Sequence, residues 1–425
     1  MKSIRLSWLA ALAFVGAIVL SGACRSADGD EAVLAARDAF RAGDRAKLAM
    51  QFDAARGHVL APYVEYWYLK LGLDRQFDLS DDAALSFLNR YPDSLLSERL
   101  RADWLKQIGI RYQWDLFDRE YPRLWQPDTE LACLSLTRRH GAGDAAALEE
   151  ARSLWFNELD LPSACTPVID ALMMNARIST DGIWQRIRRL LEARRLAQAK
   201  LAADYLPGEQ APDPKLLDSI ADAPQRHLKR LQPNFPATRL GREMAIYALQ
   251  RLARNNVEEA AEQWESLKGR FSPAERAYVY AQLGWQGALK HMPEATAWFK
   301  AAGDVQMSEE QIAWKARAAL RAGDWKLVRA TIEAMPQPLA ARPDWTYWLG
   351  RAMQAEGKRE EARALFERIG GQPNFYSNLA DEELGRPIIV PPRAAKPTRE
   401  ELAAVASNPA IVRTLALFRL DMRSE

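Results

Sequence analysis

Cysteine and histidine are scarce: the 425 residues hold 3 Cys and 4 His. The histidines, at 58, 140, 227 and 291, are dispersed, and no two cysteines have zinc-site spacing, so they read as ordinary surface or packing groups and neither a metal nor an organic cofactor is expected. Net charge is also nearly absent. With 58 basic against 56 acidic residues the formal charge is +2, and losing Lys2 and Arg5 with a leader would bring it to about zero. Such a balance gives non-specific nucleic-acid binding no global electrostatic support, so no nucleic-acid partner is expected and any anionic partner must be met locally.

What is present begins at the amino terminus. Lys2 and Arg5 precede an uncharged apolar run from Leu6 to Leu20, followed by Ser21-Gly22-Ala23-Cys24. The run is too short for a comfortable membrane span, and its basic start and small-residue end suit a bacterial secretory signal over residues 1–23. Export is therefore expected. Two endings stand open: Ser21 and Ala23 fit a small-x-small cleavage with simple release, while Leu20-Ser21-Gly22-Ala23-Cys24 resembles a lipoprotein box in which Ser21 occupies the usual leucine position. The second ending would attach lipid at Cys24 and anchor the protein to the outer membrane.

Cys24 at the processing site leaves Cys133 and Cys165 as a pair that an oxidising compartment would join. Closing a loop of some thirty residues stabilises by roughly 3 to 4 kcal/mol in the chain-entropy model. Two separate buried thiols are the alternative.

Hydrophobic residues make up 48% of the chain, which suffices for either several domains or one elongated helical array, and the patterning favours the array. From Asp30 to Leu100, alanine-rich helical segments alternate with polar punctuation. Glu31 to Arg41 ends at Gly43-Asp44, where glycine can close a helix in the left-handed region. Tyr63, Tyr66, Trp67 and Leu71 recur at three- and four-residue steps. Tyr91-Pro92-Asp93-Ser94 places a proline after one helix and caps before the next. Cys133 falls in a helix opened near Thr129-Glu130, and Cys165 in a later loop.

Ile183 to Tyr205 reads as one long basic helix. Trp184, Ile187, Leu190, Leu191 and Leu201 form its apolar stripe, and Arg186, Arg188, Arg189, Arg194, Arg195 and Lys200 its other face. That face is either solvated, with snorkelling side chains, or a contact for an anionic polymer. The prolines between Pro207 and Pro236 mark a break.

Repeats are clearest from Gly241 onward. Met244 to Ala253 pairs with Val257 to Leu267, Pro273 to Gly284 with Met292 to Ala301, Glu309 to Ala322 with Trp325 to Ala334, and Trp345 to Glu356 with Arg359 to Ile369. In the last pair, Trp348-Leu349-Gly350 and the Ala362 to Phe366 spacing resemble a degenerate tetratricopeptide unit. One helical hairpin cannot bury its apolar sides alone, so neighbours must stack. The expected fold is all-α, a curved or ring-forming superhelix of stacked hairpins, tetratricopeptide-like in its later part. Trp264, Trp298, Trp314, Trp325, Trp345 and Trp348 are expected as wedges between layers, with sugar stacking by one or two exposed rings as the alternative.

After Gly370-Gly371 the pattern changes to Asn374-Phe375-Tyr376-Ser377-Asn378-Leu379-Ala380-Asp381-Glu382-Glu383-Leu384-Gly385. With the signal, the helical array and the cysteine pair, this resembles the soluble lytic murein transglycosylases of the bacterial periplasm. The resemblance implies a helical superhelix (residues 24–372), then the opening of a helical linker domain (373–425), with Ile411 to Asp421 similar to a later helix of that domain. In the family a lysozyme-like domain cleaves the MurNAc–GlcNAc bond to a 1,6-anhydro product through one glutamate in a Glu-Ser motif. Glu265-Ser266 sits instead on a repeat helix between packing positions Trp264 and Leu267, so no catalytic residue is expected here. Because four residues follow Asp421, the sequence is expected to be the part outside the active site, either the amino-terminal portion of a longer enzyme or a family member that keeps only the ring.

The resemblance thus implies the scaffold and peptidoglycan-engaging part of a periplasmic lytic transglycosylase, inactive alone, whose partners are peptidoglycan and a lysozyme-like domain in cis. A protein-interaction solenoid for envelope assembly, with envelope proteins as partners, or its lipoprotein-adaptor version, is the alternative.

Overall fold

The computed structural model describes residues 29–74, 79–388 and 390–425. The expected signal peptide and Cys24 lie outside the described residues. Among the described residues all regular structure is helical, with no strand, as the hairpin periodicity requires. No helix among them is long and apolar enough to cross a membrane. The chain forms two compact units, one from Met1–Arg177 together with Ala395–Glu425, the other from Ile178–Ala394.

In the first unit a continuous core runs through Trp67, Phe87, Leu100, Trp104 and Phe117, each almost fully buried. Its helices start where short polar side chains accept orphan backbone N–H groups: Ser80 from Ala83, Ser94 from Ser97 and Asp128 from Leu131. Asp93, in the turn marked by Pro92, takes a left-handed φ of 58°. Cys133, within the helix Thr129–Gly141, is joined by a disulfide to Cys165, which lies in a one-turn 3₁₀ segment, Ser163–Cys165, rather than in an open loop. The helix Pro409–Arg419 belongs to this unit. Ala416 and Met422 enter its core, and Arg419 pairs with Asp30 at 2.7 Å.

The second unit contains the four expected hairpins. They are Arg239–Asn255 with Val257–Leu267, Pro273–Leu289 with Ala295–Ala302, Glu309–Ala322 with Trp325–Glu333, and Pro343–Ala355 with Arg359–Ile369. Capping explains several of the boundaries. Asn256 and Asp324 accept from the third residue of the returning helix, Gly323 closes its helix in the left-handed region, and Ser272 with Glu275 and Ser308 with Gln311 form reciprocal capping boxes. Close approach within a hairpin is bought by glycine on the first helix: Gly284 backs onto Phe299 and Gly350 onto Phe366, both rings being buried. Phe375–Glu383, capped by Asn374, lays Tyr376, Leu379 and Ala380 on the last hairpin.

The long basic helix expected from Ile183 to Tyr205 is two helices, Thr180–Glu192 and Leu196–Ala203. The break is at Arg194, whose φ is +61°. Its neighbour Arg195 donates its backbone N–H to the Leu190 carbonyl, and this closes the first helix before the second begins.

Candidate functional site

Within the second unit, the ends of three successive hairpins and the helix Phe375–Glu383 enclose a groove of about 660 Å³. Trp314, Arg317 and Arg321 lie at three- and four-residue spacing on one face of Glu309–Ala322, and Trp345 and Trp348 on one face of Pro343–Ala355. His291, held at φ +61° in the preceding turn, and Tyr376 complete the walls used below.

The arrangement is an aromatic cradle for guanidinium. The Arg317 Cζ stands 5.0 Å from the Trp314 ring centroid and 5.2 Å from that of Trp345, attracted by the negative faces of both indoles. Its N–H donors lie in the guanidinium plane, so stacking leaves them unused, and no described side chain takes them. Arg321 donates to His291 Nδ1 at 3.0 Å. An arginine N–H can only donate, so Nδ1 is the acceptor of this bond. The one carboxylate in the lining, Asp344, is already bound by Arg342 at 3.0 Å. The groove therefore carries surplus positive charge on an apolar, aromatic floor.

A second polar cluster lies deeper in the same unit. Arg188 makes a paired contact with Glu243 at 2.7 and 3.0 Å and stacks on Tyr278, 4.6 Å from its centroid. Glu192 accepts from the Tyr278 hydroxyl and, at 2.8 Å, from Gln282 Nε2. Burial pushes the Glu192 carboxyl above the ordinary glutamate range, against the hydrogen bond from Tyr278 and the opposing pull of Arg254, Arg188 and Arg189. Every member has a partner, and the cavity beside them is too small for a ligand, so the cluster ties helices together.

The basic set is not one solvent-facing row. Arg186 is buried at 4% exposure, Arg188 is committed to Glu243, and Lys200 pairs with Asp218 at 2.6 Å. Arg189, Arg194 and Arg195 are exposed. Glu265 is exposed and paired with Lys268, and the Ser266 hydroxyl donates to the Gln263 carbonyl at 2.7 Å, an ordinary helix-surface arrangement. Among the described residues no group of three or more His, Cys, Asp or Glu could hold a metal.

Of the tryptophans, Trp264 and Trp345 are buried between helices, while Trp298, Trp314, Trp325 and Trp348 are half-buried. The packing and exposed-ring readings therefore divide among individual residues. Arg317 and Arg321 were not singled out from sequence. Their signal was there: two arginines one turn apart, following Trp314, with no acid three or four residues from Arg317.

The second unit is an all-α stack of helical hairpins that carries an aromatic, arginine-bearing groove. No family model matches the chain. Over 386 residues it is 21% identical to the soluble lytic murein transglycosylase of Escherichia coli K12, and over 375 residues 22% identical to that of Salmonella typhimurium, each alignment spanning 86% of this chain and 57% of the relative. The fold matches that of an inactive variant of the lytic transglycosylase Slt from Pseudomonas aeruginosa with a TM-score of 0.61 at 25% identity, over 90% of this chain and 62% of that one. It matches the 70-kDa soluble lytic transglycosylase of Escherichia coli with a TM-score of 0.53 at 19% identity, over 93% and 64%. In sequence and in fold the chain is similar to the soluble lytic murein transglycosylases. It spans little more than half the length of those curated relatives.

Proposed function

We propose that this chain is the scaffold and peptidoglycan-engaging part of an exported lytic transglycosylase, working in the periplasm. The observation that carries this reading is the extent of the likeness: 86% of the chain aligns with enzymes named for action on murein. In this reading residues 1–23 direct export, 24–372 form the helical array, and 373–425 open a linker domain. Peptidoglycan is the polymer engaged, and cleavage of the MurNAc–GlcNAc bond to a 1,6-anhydro product is the work of a lysozyme-like domain acting with it. Glu265 lies exposed on a helix surface, paired with Lys268, and is given no catalytic role in this reading. Arg189, Arg194 and Arg195 are the solvent-exposed members of the basic set.

The test uses purified cell-wall sacculi. The 425-residue protein should sediment with them and release no anhydromuropeptides by mass spectrometry. Failure to sediment would overturn the engagement reading, and anhydro products from the pure chain would overturn the assignment of cleavage elsewhere. The intact mass of exported protein separates simple release at the signal from lipid attachment at Cys24.

A further inference from the structure

We propose that the groove between Trp314, Trp345 and Arg321 binds the carboxylate-bearing peptide arms of peptidoglycan rather than its sugar rings; this rests on the peptidoglycan reading above and names which part of the polymer the second unit takes. Charge and geometry carry the choice. Arg317 is held between two indole rings at 5.0 and 5.2 Å with its in-plane donors unspent. Arg321 lies one turn further on the same helix face, about 6 Å along the axis at 1.5 Å per residue, and its described bond is to the His291 ring rather than to a carboxylate. Two guanidinium groups at that spacing suit two carboxylates, or both oxygens of one with a second close by.

A sugar subsite would present a different set of groups. Neutral hydroxyls both donate and accept, and a site for them mixes donors with carboxylate or amide acceptors around an open aromatic face. Here the faces of Trp314 and Trp345 are turned to Arg317, and the acceptor Asp344 is spent on Arg342. What remains for a ligand is cationic donors above Trp348, Tyr376, Met292 and Pro293. That is a surface for an anionic chain with short aliphatic side groups. Arginine–carboxylate contacts are charge-assisted hydrogen bonds, and at exposed residues such as these they weaken with salt.

The experiment is calorimetric titration of the whole chain with the peptide L-alanyl-γ-D-glutamyl-diaminopimelate, its fully amidated counterpart, and peptide-free chitotetraose. The acidic peptide should bind, with affinity falling as salt rises. Amidation should weaken binding at least tenfold, and chitotetraose should leave the heat signal unchanged. Arg317→Gln and Arg321→Gln should each weaken the acidic peptide about tenfold, with melting temperatures near that of the unmodified protein because both residues are exposed. Arg317→Lys keeps the charge but loses the planar stack, and should restore only part of the affinity. Equal binding of acidic and amidated peptides, equal binding by the Gln variants, or no binding of the acidic peptide would each overturn the proposal. Sacculus sedimentation, read separately, distinguishes the two levels: a protein that pellets with sacculi but ignores the acidic peptide keeps the broader reading and loses this one, while one that binds the peptide but does not pellet does the reverse.

Discussion

Gly350 faces the ring of Phe366 so closely that a Cβ on the glycine would lie 2.5 Å from one ring carbon and 2.9 Å from the next. Gly284 and Phe299 stand in the same relation two hairpins earlier, at 2.9 and 3.0 Å. The first helix of each of these hairpins thus offers a flat backbone patch that the aromatic of the second helix fills. Gly350→Ala must move a ring that is 2% exposed and packed on Tyr347. It should cost roughly 1–3 kcal/mol, the usual penalty of overpacking. Gly269→Ala, where nothing lies within 4 Å, is the control and should change the denaturation midpoint little. Equal midpoints for the two variants would show that the glycine contact does not set hairpin packing.

Cys133 and Cys165 are joined across 32 residues, both side chains buried. The link restrains the unfolded chain and ties Thr129–Gly141 to the segment before Thr166–Met174. Replacing both by Ser should lower stability by about 2–5 kcal/mol. Non-reducing peptide mapping of exported protein should recover the cross-linked peptide pair, and free thiols at both positions would contradict it.

The turn at Arg194 was hidden from sequence reading, and its chemistry explains why. No glycine or proline marks it, and the apolar spacing of Leu190, Leu191 and Leu201 continues as though one helix ran through. Three of the four later hairpins were legible at their hinges because Asn256, Asp324 and Gly357 stand there and supply caps or a left-handed φ. An arginine in that region bears a steric cost that glycine avoids. Arg194→Gly should therefore leave stability unchanged or raise it by up to about 1 kcal/mol, while the β-branched Arg194→Val should lower it by more than that. Urea midpoints for the two variants measure the difference, and the reverse order would place the helix break elsewhere.

The groove shows a similar limit on sequence reading. That tryptophans would pack between helices followed from their periodicity, since each recurs on an apolar face. Which of them would meet an arginine could not be read, because Trp314 and Trp345 come from different hairpins and are brought together around Arg317 only by stacking. The partners of the basic row at residues 186–200 were hidden for the same reason. Its charge looked available, but Arg188 finds Glu243 and Lys200 finds Asp218, partners 55 and 18 residues away.

Glu192 gives the second unit a pH dependence of defined sign. Its carboxyl faces Tyr278 and Gln282, and burial raises its folded-state pKa above the unfolded value. Between the two values the folded state holds more protons, so this residue's contribution to stability falls as pH rises from the ordinary glutamate range through the raised value. Glu192→Gln removes the titration while keeping a carbonyl oxygen to accept from Tyr278 and Gln282. The melting temperature of the variant minus that of the unmodified protein should therefore become more positive from pH 4 to pH 8. Glu275 has the opposite sign: bonds from Arg242 and from the Ser272 backbone hold its carboxyl below the ordinary range despite partial burial. Its stabilisation is present above the ordinary glutamate value and is lost as pH falls through the lowered one. Glu275→Gln should therefore destabilise most near neutrality and least in acid. Thermal melts across that pH range for both variants test the pair of signs together, and parallel curves for the two would refute the assignment.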